Sequence, residues 1–345
     1  MRGTSVLEAE IRAQPEALER LLATQLGAAR ELALLLGQED VRFVLVAARG
    51  SSSNAARYAQ YVLGRAHRVP VALATPSLYT VYEQPPRLEG ALVVGISQSG
   101  RSPDVVAVLD EARRQGRPTI ALTNAPDSPL ARAARGVLPL EAGAEHAVAA
   151  TKTYSNSIGA IALLFCALTD DRAALSQLRA MPERVAAQVE LALEQVALPS
   201  LSGFSTATVI GRGVNYSTAR EVALKMRELS GLFVESYSAA ELLHGPIAAV
   251  TAGSPVIGVA PSGPAFANVV ETLIELRRRN ATAIAITEAP LEGVDAVLPL
   301  VPGVPEWLSP LIAVVPGQVL GMRIGASLGR DVDRPSGLQK VTLTR

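Results

Sequence analysis

Residues 97–104 read Ser-Gln-Ser-Gly-Arg-Ser-Pro-Asp. They follow a short apolar run and precede a helical pattern, so the segment is expected to be a strand-to-helix loop. Free N–H groups and the positive dipole end at a helix start favour an anion. The hydroxyls of Ser97, Ser99 and Ser102 and the amide of Gln98 add donors suited to phosphate oxygens. Ser-Pro is also an ordinary way to begin a helix, and the spacing alone fits both uses. A second hydroxyl-rich loop, Gly50-Ser51-Ser52-Ser53-Asn54, is a weaker candidate for the same anion.

Acid–base candidates lie later in the chain. Glu221, Lys225 and Glu228 recur at i, i+4 and i+7, which puts carboxylate, ammonium and carboxylate on one helix face. That pattern suits a general base tuned by a lysine. It equally suits a solvated salt-bridge stripe, because Glu four residues before Lys is the favoured order. His244 precedes a Gly-Pro break in apolar company, as a core histidine or a directed catalytic one would. Lys340 sits in a polar tail and on composition is an ordinary solvated lysine.

Other chemistries find little support. The single cysteine, Cys166, forbids a disulfide within the chain. His67, His146 and His244 lack ligand spacing, so neither a metal nor a cofactor is expected. Thirty-two basic residues balance thirty-two acidic ones, which argues against a nucleic-acid partner. The N-terminus has no apolar signal core, and the late apolar stretch is cut by Pro316 and Arg323. No membrane association is expected, and the location expected is cytoplasmic.

The elements that must hold these residues occur twice. Arg49-Gly50 matches Arg212-Gly213, Arg57 matches Arg220, and Gly95, Ser99 and Gly100 match Gly258, Ser262 and Gly263, all at an offset of 163 (212 − 49, 258 − 95). With one residue added, Arg113-Arg114 matches Arg277-Arg278, and TIALT at 119–123 matches AIAIT at 283–287. Collinear matches at a nearly constant offset indicate a duplicated domain. The second copy of the loop, Ala260-Pro261-Ser262-Gly263-Pro264-Ala265, keeps the turn but lacks counterparts of Ser97, Gln98 and Ser102. The fold therefore does not require those polar groups, and a ligand accounts for them. Strands are expected at FVLVAA, ALVVGIS, TIALT and GVLPL, with helices over 53–65, 103–115 and 129–134. This alternation predicts parallel sheets covered by helices on both faces. Two helices are expected over 7–36, and one each over 147–168 and 175–197.

The chain resembles the sugar isomerase (SIS) domain pair that forms the isomerase half of glucosamine-6-phosphate synthase. GSSSN at 50, SQSG at 97, the block from Gly143, the block IGRGVNYSTAREVALKMRELSGLFVESYSAAELLHGPIA from Ile210 and the tail LGRDVDRPSGLQKVTLTR carry the resemblance. It implies an α/β fold of two tandem SIS domains, each a five-stranded parallel sheet in a three-layer αβα sandwich. The implied division is N-terminal helices at 1–36, domain one at 37–170, a helical connector at 171–198, domain two at 199–330, and a tail at 331–345 that closes the active site. The resemblance further implies phosphate binding by Ser97, Gln98, Ser99 and Ser102 beside Ser51 and Ser52, with Val148 and Ala149 near the sugar. Glu228 would move a proton between C1 and C2, with Lys225 next to it. His244 from the neighbouring subunit of a homodimer would assist ring opening, and Lys340 would approach the anomeric end and form an imine.

The chain departs from the synthase at several positions: Arg101-Ser102 replaces Glu-Thr, Ala150 a serine and Leu243 a lysine. No counterpart of the glutaminase is present, so glutamine-dependent synthesis is not expected of this chain alone. Stand-alone relatives with SQSGRSPD are similar to amino-sugar-phosphate deaminases or isomerases. The expected substrate is therefore a hexosamine phosphate. The expected reaction is conversion of glucosamine 6-phosphate to fructose 6-phosphate and ammonia. The alternatives are another amino-sugar or ketosamine phosphate, a synthase-type isomerase, and a sensor without turnover. Arg101 and Ala150 are the positions expected to choose among substrates.

Overall fold

The structure, a computed structural model, describes residues 4–37, 39–195 and 203–342. Its strands are β1 (Phe43–Ala48), β2 (Val71–Leu73), β3 (Ala91–Ser97), β4 (Thr119–Thr123), β5 (Gly136–Pro139), β6 (Thr206–Gly211), β7 (Phe233–Ser238), β8 (Pro255–Val259), β9 (Thr282–Thr287) and β10 (Ala296–Pro299). They form two five-stranded sheets, ordered β2-β1-β3-β4-β5 and β10-β9-β8-β6-β7. All pairings are parallel. The central strands β3, β4 and β8 are buried along their whole length, as unbroken apolar runs require when helices cover both faces.

Pairing register reproduces the sequence repeat. Ala47 faces Gly95 in the first sheet and Ile210 faces Gly258 in the second, so both partners shift by 163 (210 − 47, 258 − 95). Each sheet packs against a buried apolar cluster. The first joins Leu45, Val93, Val108, Leu109 and Leu130, and the second joins Ile210, Val256, Leu273 and Leu276.

The chain divides into two compact units, each discontinuous in sequence. One gathers the described part of Glu16–Glu145, Lys152–Ala180 and the described part of Gln339–Arg345 around the first sheet. The other gathers the described part of Met1–Pro15, His146–Thr151 and the described part of Met181–Leu338 around the second. In the first unit, the buried helix Lys152–Thr169 packs against Leu26–Gly37 and Gly50–His67. In the second, Asn215–Ser230 packs against Pro310–Ser327.

Several elements differ from the sequence expectation. Three helices, not two, occupy the start: Val6–Arg12, Gln14–Thr24 and Leu26–Gly37. Pro15 has no N–H to continue the first of them. The helix expected over 175–197 is two, Arg172–Arg179 and Met181–Glu194, parted before Pro182 for the same reason. Residues 196 and 197 lie outside the described residues. The helix expected from 147 begins at Lys152. The edge strands β2 and β7 escape a search for apolar runs because β2 is three residues long and β7 alternates buried and open positions.

Candidate active site

Both sheets have the order 2-1-3-4-5, which reverses direction between the first and third strands. Ligands in such folds bind outside the carboxyl ends of the strands at that switch point. In the first sheet this point lies between β1 and β3, from whose ends the 49–54 and 97–102 loops emerge. The two serine loops are thus brought to one sheet edge.

The 97–102 loop is held by its backbone, which leaves the hydroxyl protons free. Ser97 Oγ accepts from Gly100 N at 3.1 Å and Ser99 Oγ from Arg101 N at 3.3 Å. Accepting at oxygen leaves each hydroxyl able to donate outward. Gln98 O accepts from Asn124 N, and Gly100 O from Leu130 N. Gly100 has φ +61°, and a Cβ there would collide with Ser128 Oγ, so both conformation and space demand glycine. Ser102 is the N-cap of helix Pro103–Arg114, yet its side chain makes no capping hydrogen bond. The helix-start reading accounts for its position but not for its hydroxyl. Ser51 and Ser52 are half-buried in the first turn of helix Gly50–His67.

The second sheet supplies an internal comparison. Its 260–265 loop stands at the equivalent switch point, but carboxylates of the chain already occupy its donors. Ala265 N donates to Glu306 Oε1 at 3.0 Å, and the Ser262 hydroxyl donates to Glu288 Oε2. In this copy the donors of the turn are taken up by side chains of the chain itself.

Lys340 is not an ordinary solvated lysine. Its Nζ lies 2.8 Å from Oε2 of Glu145, which is fully buried and also accepts from Thr153 N and Thr153 Oγ1. Sequence reading missed Glu145 because nothing in its spacing points to a partner 195 residues away.

In the second unit, helix Asn215–Ser230 carries the acid–base face. Lys225 Nζ lies 2.5 Å from Glu228 Oε2 and 3.4 Å from Glu221 Oε1. Side-chain exposure is 1% for Lys225, 0% for Glu221 and 22% for Glu228. This is not a solvated stripe: two of the three charges are out of water, and only Glu228 reaches it. The helix end is fixed by Pro310–Ser327, whose Gly317, Gly321 and Gly325 let the two backbones approach. A Cβ at Gly325 would collide with Leu229 O.

His244 is exposed rather than a core residue, and among the described residues no side-chain hydrogen bond or ion pair joins it to Glu228. Its N–H donates to Glu241 O at 3.0 Å, just before Gly245 turns the chain at φ +140°. Val148 is half-buried, with its N–H donating to Asp333 O at 3.1 Å, and Ala149 is fully buried. Among the described residues no group of His, Cys, Asp and Glu is arranged to hold a metal. Nor is any helix among them long and apolar enough to cross a membrane. Burial, then the charge of Asp171, pushes the Cys166 thiol up to about 12, so this cysteine is no nucleophile at neutral pH.

Twin parallel sheets with a hydroxyl loop at the switch point define a class, and the comparisons agree with it. The chain belongs to the SIS-domain family, whose model matches residues 39–167 and 201–295. It is 35% identical, over 96% of its length, to a glutamine–fructose-6-phosphate aminotransferase (isomerizing) of Thermus thermophilus and spans 57% of that protein. The chain thus spans little more than half the length of the curated relatives it matches. Among solved structures, a protein from Silicibacter pomeroyi DSS-3 described as a candidate phosphosugar isomerase superposes with a TM-score of 0.85 at 32% identity, covering 96% of this chain and 99% of that one. The C-terminal domain of glucosamine-fructose-6-phosphate aminotransferase from Francisella tularensis gives 0.82 at 25% identity, covering 97% and 99%.

Proposed function

We propose that the chain is a sugar-phosphate isomerase that acts on an amino sugar, converting glucosamine 6-phosphate to fructose 6-phosphate and ammonia. The observation that carries this reading is the Glu221–Lys225–Glu228 cluster, in which a buried ammonium holds one partly open carboxylate ready to take and return a proton. The hydroxyls at 97–102 and 51–52 supply the donors for the phosphate ester.

In the open-chain sugar the C1 aldehyde acidifies the proton on C2. Glu228 removes that proton, the C–H electron pair becomes the C1=C2 bond, and the carbonyl oxygen takes a proton. Glu228 then delivers its proton to C1 while the amine pair forms a C2=N bond. Water adds to this ketimine and ammonia leaves, with the ketone left at C2. The reaction is an internal redox exchange between adjacent carbons. His244 is assigned to ring opening and Lys340 to the anomeric end. A module that only senses a sugar phosphate would need none of these groups.

Ammonia release from glucosamine 6-phosphate by the purified protein tests the reading. Glu228→Gln is expected to lower kcat by about 10²–10⁴-fold, the usual worth of a positioned general base, with KM little changed. No ammonia from the wild type, or full activity in the variant, sinks the proposal. The match to aminotransferases over 96% of the chain favours a second reading, the synthase-type isomerase. It predicts interconversion of glucose 6-phosphate and fructose 6-phosphate without amine chemistry. A panel of hexose and hexosamine phosphates separates the two.

A further inference from the structure

The proposed phosphate donors (Ser51, Ser52, Ser97, Gln98, Ser99 and Ser102) are all neutral, whereas a phosphomonoester is close to a dianion at neutral pH. We infer that Arg49 supplies the missing positive charge, with Asp104 as the residue that positions it. The inference rests on the reading of this sheet edge as a phosphate site.

Arg49 is the N-cap residue of helix Gly50–His67, immediately before the Ser51-Ser52-Ser53 turn, and makes no side-chain cap there. Asp104 lies in the first turn of helix Pro103–Arg114, immediately after the 97–102 loop. Arg49 Nε lies 2.6 Å from Asp104 Oδ2. The aspartate is fully buried and the arginine half exposed. One ion pair therefore ties together the two loops that carry the serines. The pairing uses Nε only, and among the described residues the two terminal guanidinium nitrogens have no protein partner. An arginine tethered through Nε keeps its Nη pair for bidentate contact with phosphate oxygens.

The second copy again serves as the comparison. Arg212 stands where Arg49 stands, but the helix position matching Asp104, counted from the cap, is Ala267. Arg212 donates instead to Ser238 Oγ at 3.0 Å. The fold tolerates the loss of the acid, and the copy that lost the acid also lacks counterparts of Ser97, Gln98 and Ser102 and has glutamates on its remaining donors. The Arg49–Asp104 pair is retained where the anion donors are retained, as a residue pair serving the anion would be.

The test is inorganic phosphate binding by calorimetry, which needs no turnover. Arg49→Met is expected to weaken binding at least tenfold. Arg114→Met removes a charge of the same sign at the far end of helix Pro103–Arg114 and is expected to change binding less than twofold. Because Arg49→Met takes a cation away from the buried Asp104 carboxylate, the double variant Arg49→Met/Asp104→Asn keeps the test valid if the single variant folds poorly, and it is expected to lose binding equally. Asp104→Asn alone is expected to raise KM for glucosamine 6-phosphate several-fold with kcat unchanged. Wild-type phosphate affinity in either Arg49 variant, or a kcat loss without a KM change in Asp104→Asn, overturns the assignment. Phosphate binding that depends on Arg49 in a protein that releases no ammonia would reject the deaminase reading alone.

Discussion

Lys225 is the residue whose removal separates structure from chemistry most sharply. Its ammonium lies against two carboxylates, one fully buried and one mostly so. Removing one member of a buried ion cluster leaves uncompensated charge, at a cost of about 3–5 kcal/mol. Lys225→Met is therefore expected to lower stability in urea by that order. The double variant Lys225→Met/Glu221→Gln, with one carboxylate fewer, should recover part of it while remaining inactive. Equal stability of wild type and Lys225→Met would show that the cluster is not charged as drawn. Much of this chemistry is legible in the sequence, because i, i+4, i+7 spacing puts the three groups on one face. What spacing does not reveal is whether that face meets water or the core. The Glu145–Lys340 and Arg49–Asp104 pairs escape sequence reading for a related reason: they join residues distant in sequence, and no local period encodes them.

At the scale of elements, the position of Glu228 depends on how closely Asn215–Ser230 lies on Pro310–Ser327. The repeated glycines 317, 321 and 325 form one stripe along the second helix, since every fourth residue shares a face. Cβ atoms at 317 and 325 would run into the Val222 side chain and Leu229 O. The helix can accept them only by moving its neighbour, and overpacking of this kind costs about 1–3 kcal/mol. Gly325→Ala is thus expected to lower both the melting temperature and kcat, because Leu229 directly follows Glu228. Gly27→Ala, in helix Leu26–Gly37 with nothing within 4 Å of the new methyl, should leave stability unchanged or raise it by up to about 1 kcal/mol through helix propensity. Melting curves of the two variants check both statements, and a neutral Gly325→Ala would refute the close-packing account. The central strands and their helices are readable from apolar runs. The helix breaks at Pro15 and Pro182 are marked by the prolines themselves but hidden within longer apolar patterns.

For the molecule as a whole, duplication has given two sheets of one topology and unequal chemistry. The first unit alone holds the cysteine and two buried or half-buried tyrosines with displaced protonation. Burial, and next the charge of Asp171, raises the Cys166 thiol from 9.0 to about 12. Burial, and next Cys166, raises Tyr58 well above 10.0. Burial, with Glu111 adding, takes Tyr79 from 10.0 to about 12. In each case the neutral form is favoured in the fold, while the unfolded chain ionises near the ordinary values. Between about pH 9 and pH 12 the unfolded state therefore binds fewer protons than the folded one, and stability falls as pH rises. The contribution is fully present below pH 9 and is lost through the folded values near 12. Melting temperature is expected to be level from pH 7 to 8.5 and to fall progressively above pH 9. Cys166→Ala removes the group that ionises first in the unfolded chain, so the fall in that variant should begin closer to pH 10, whatever its starting stability. A wild-type profile flat to pH 11, or one that Cys166→Ala leaves unshifted, would mean that these groups do not govern the alkaline limit.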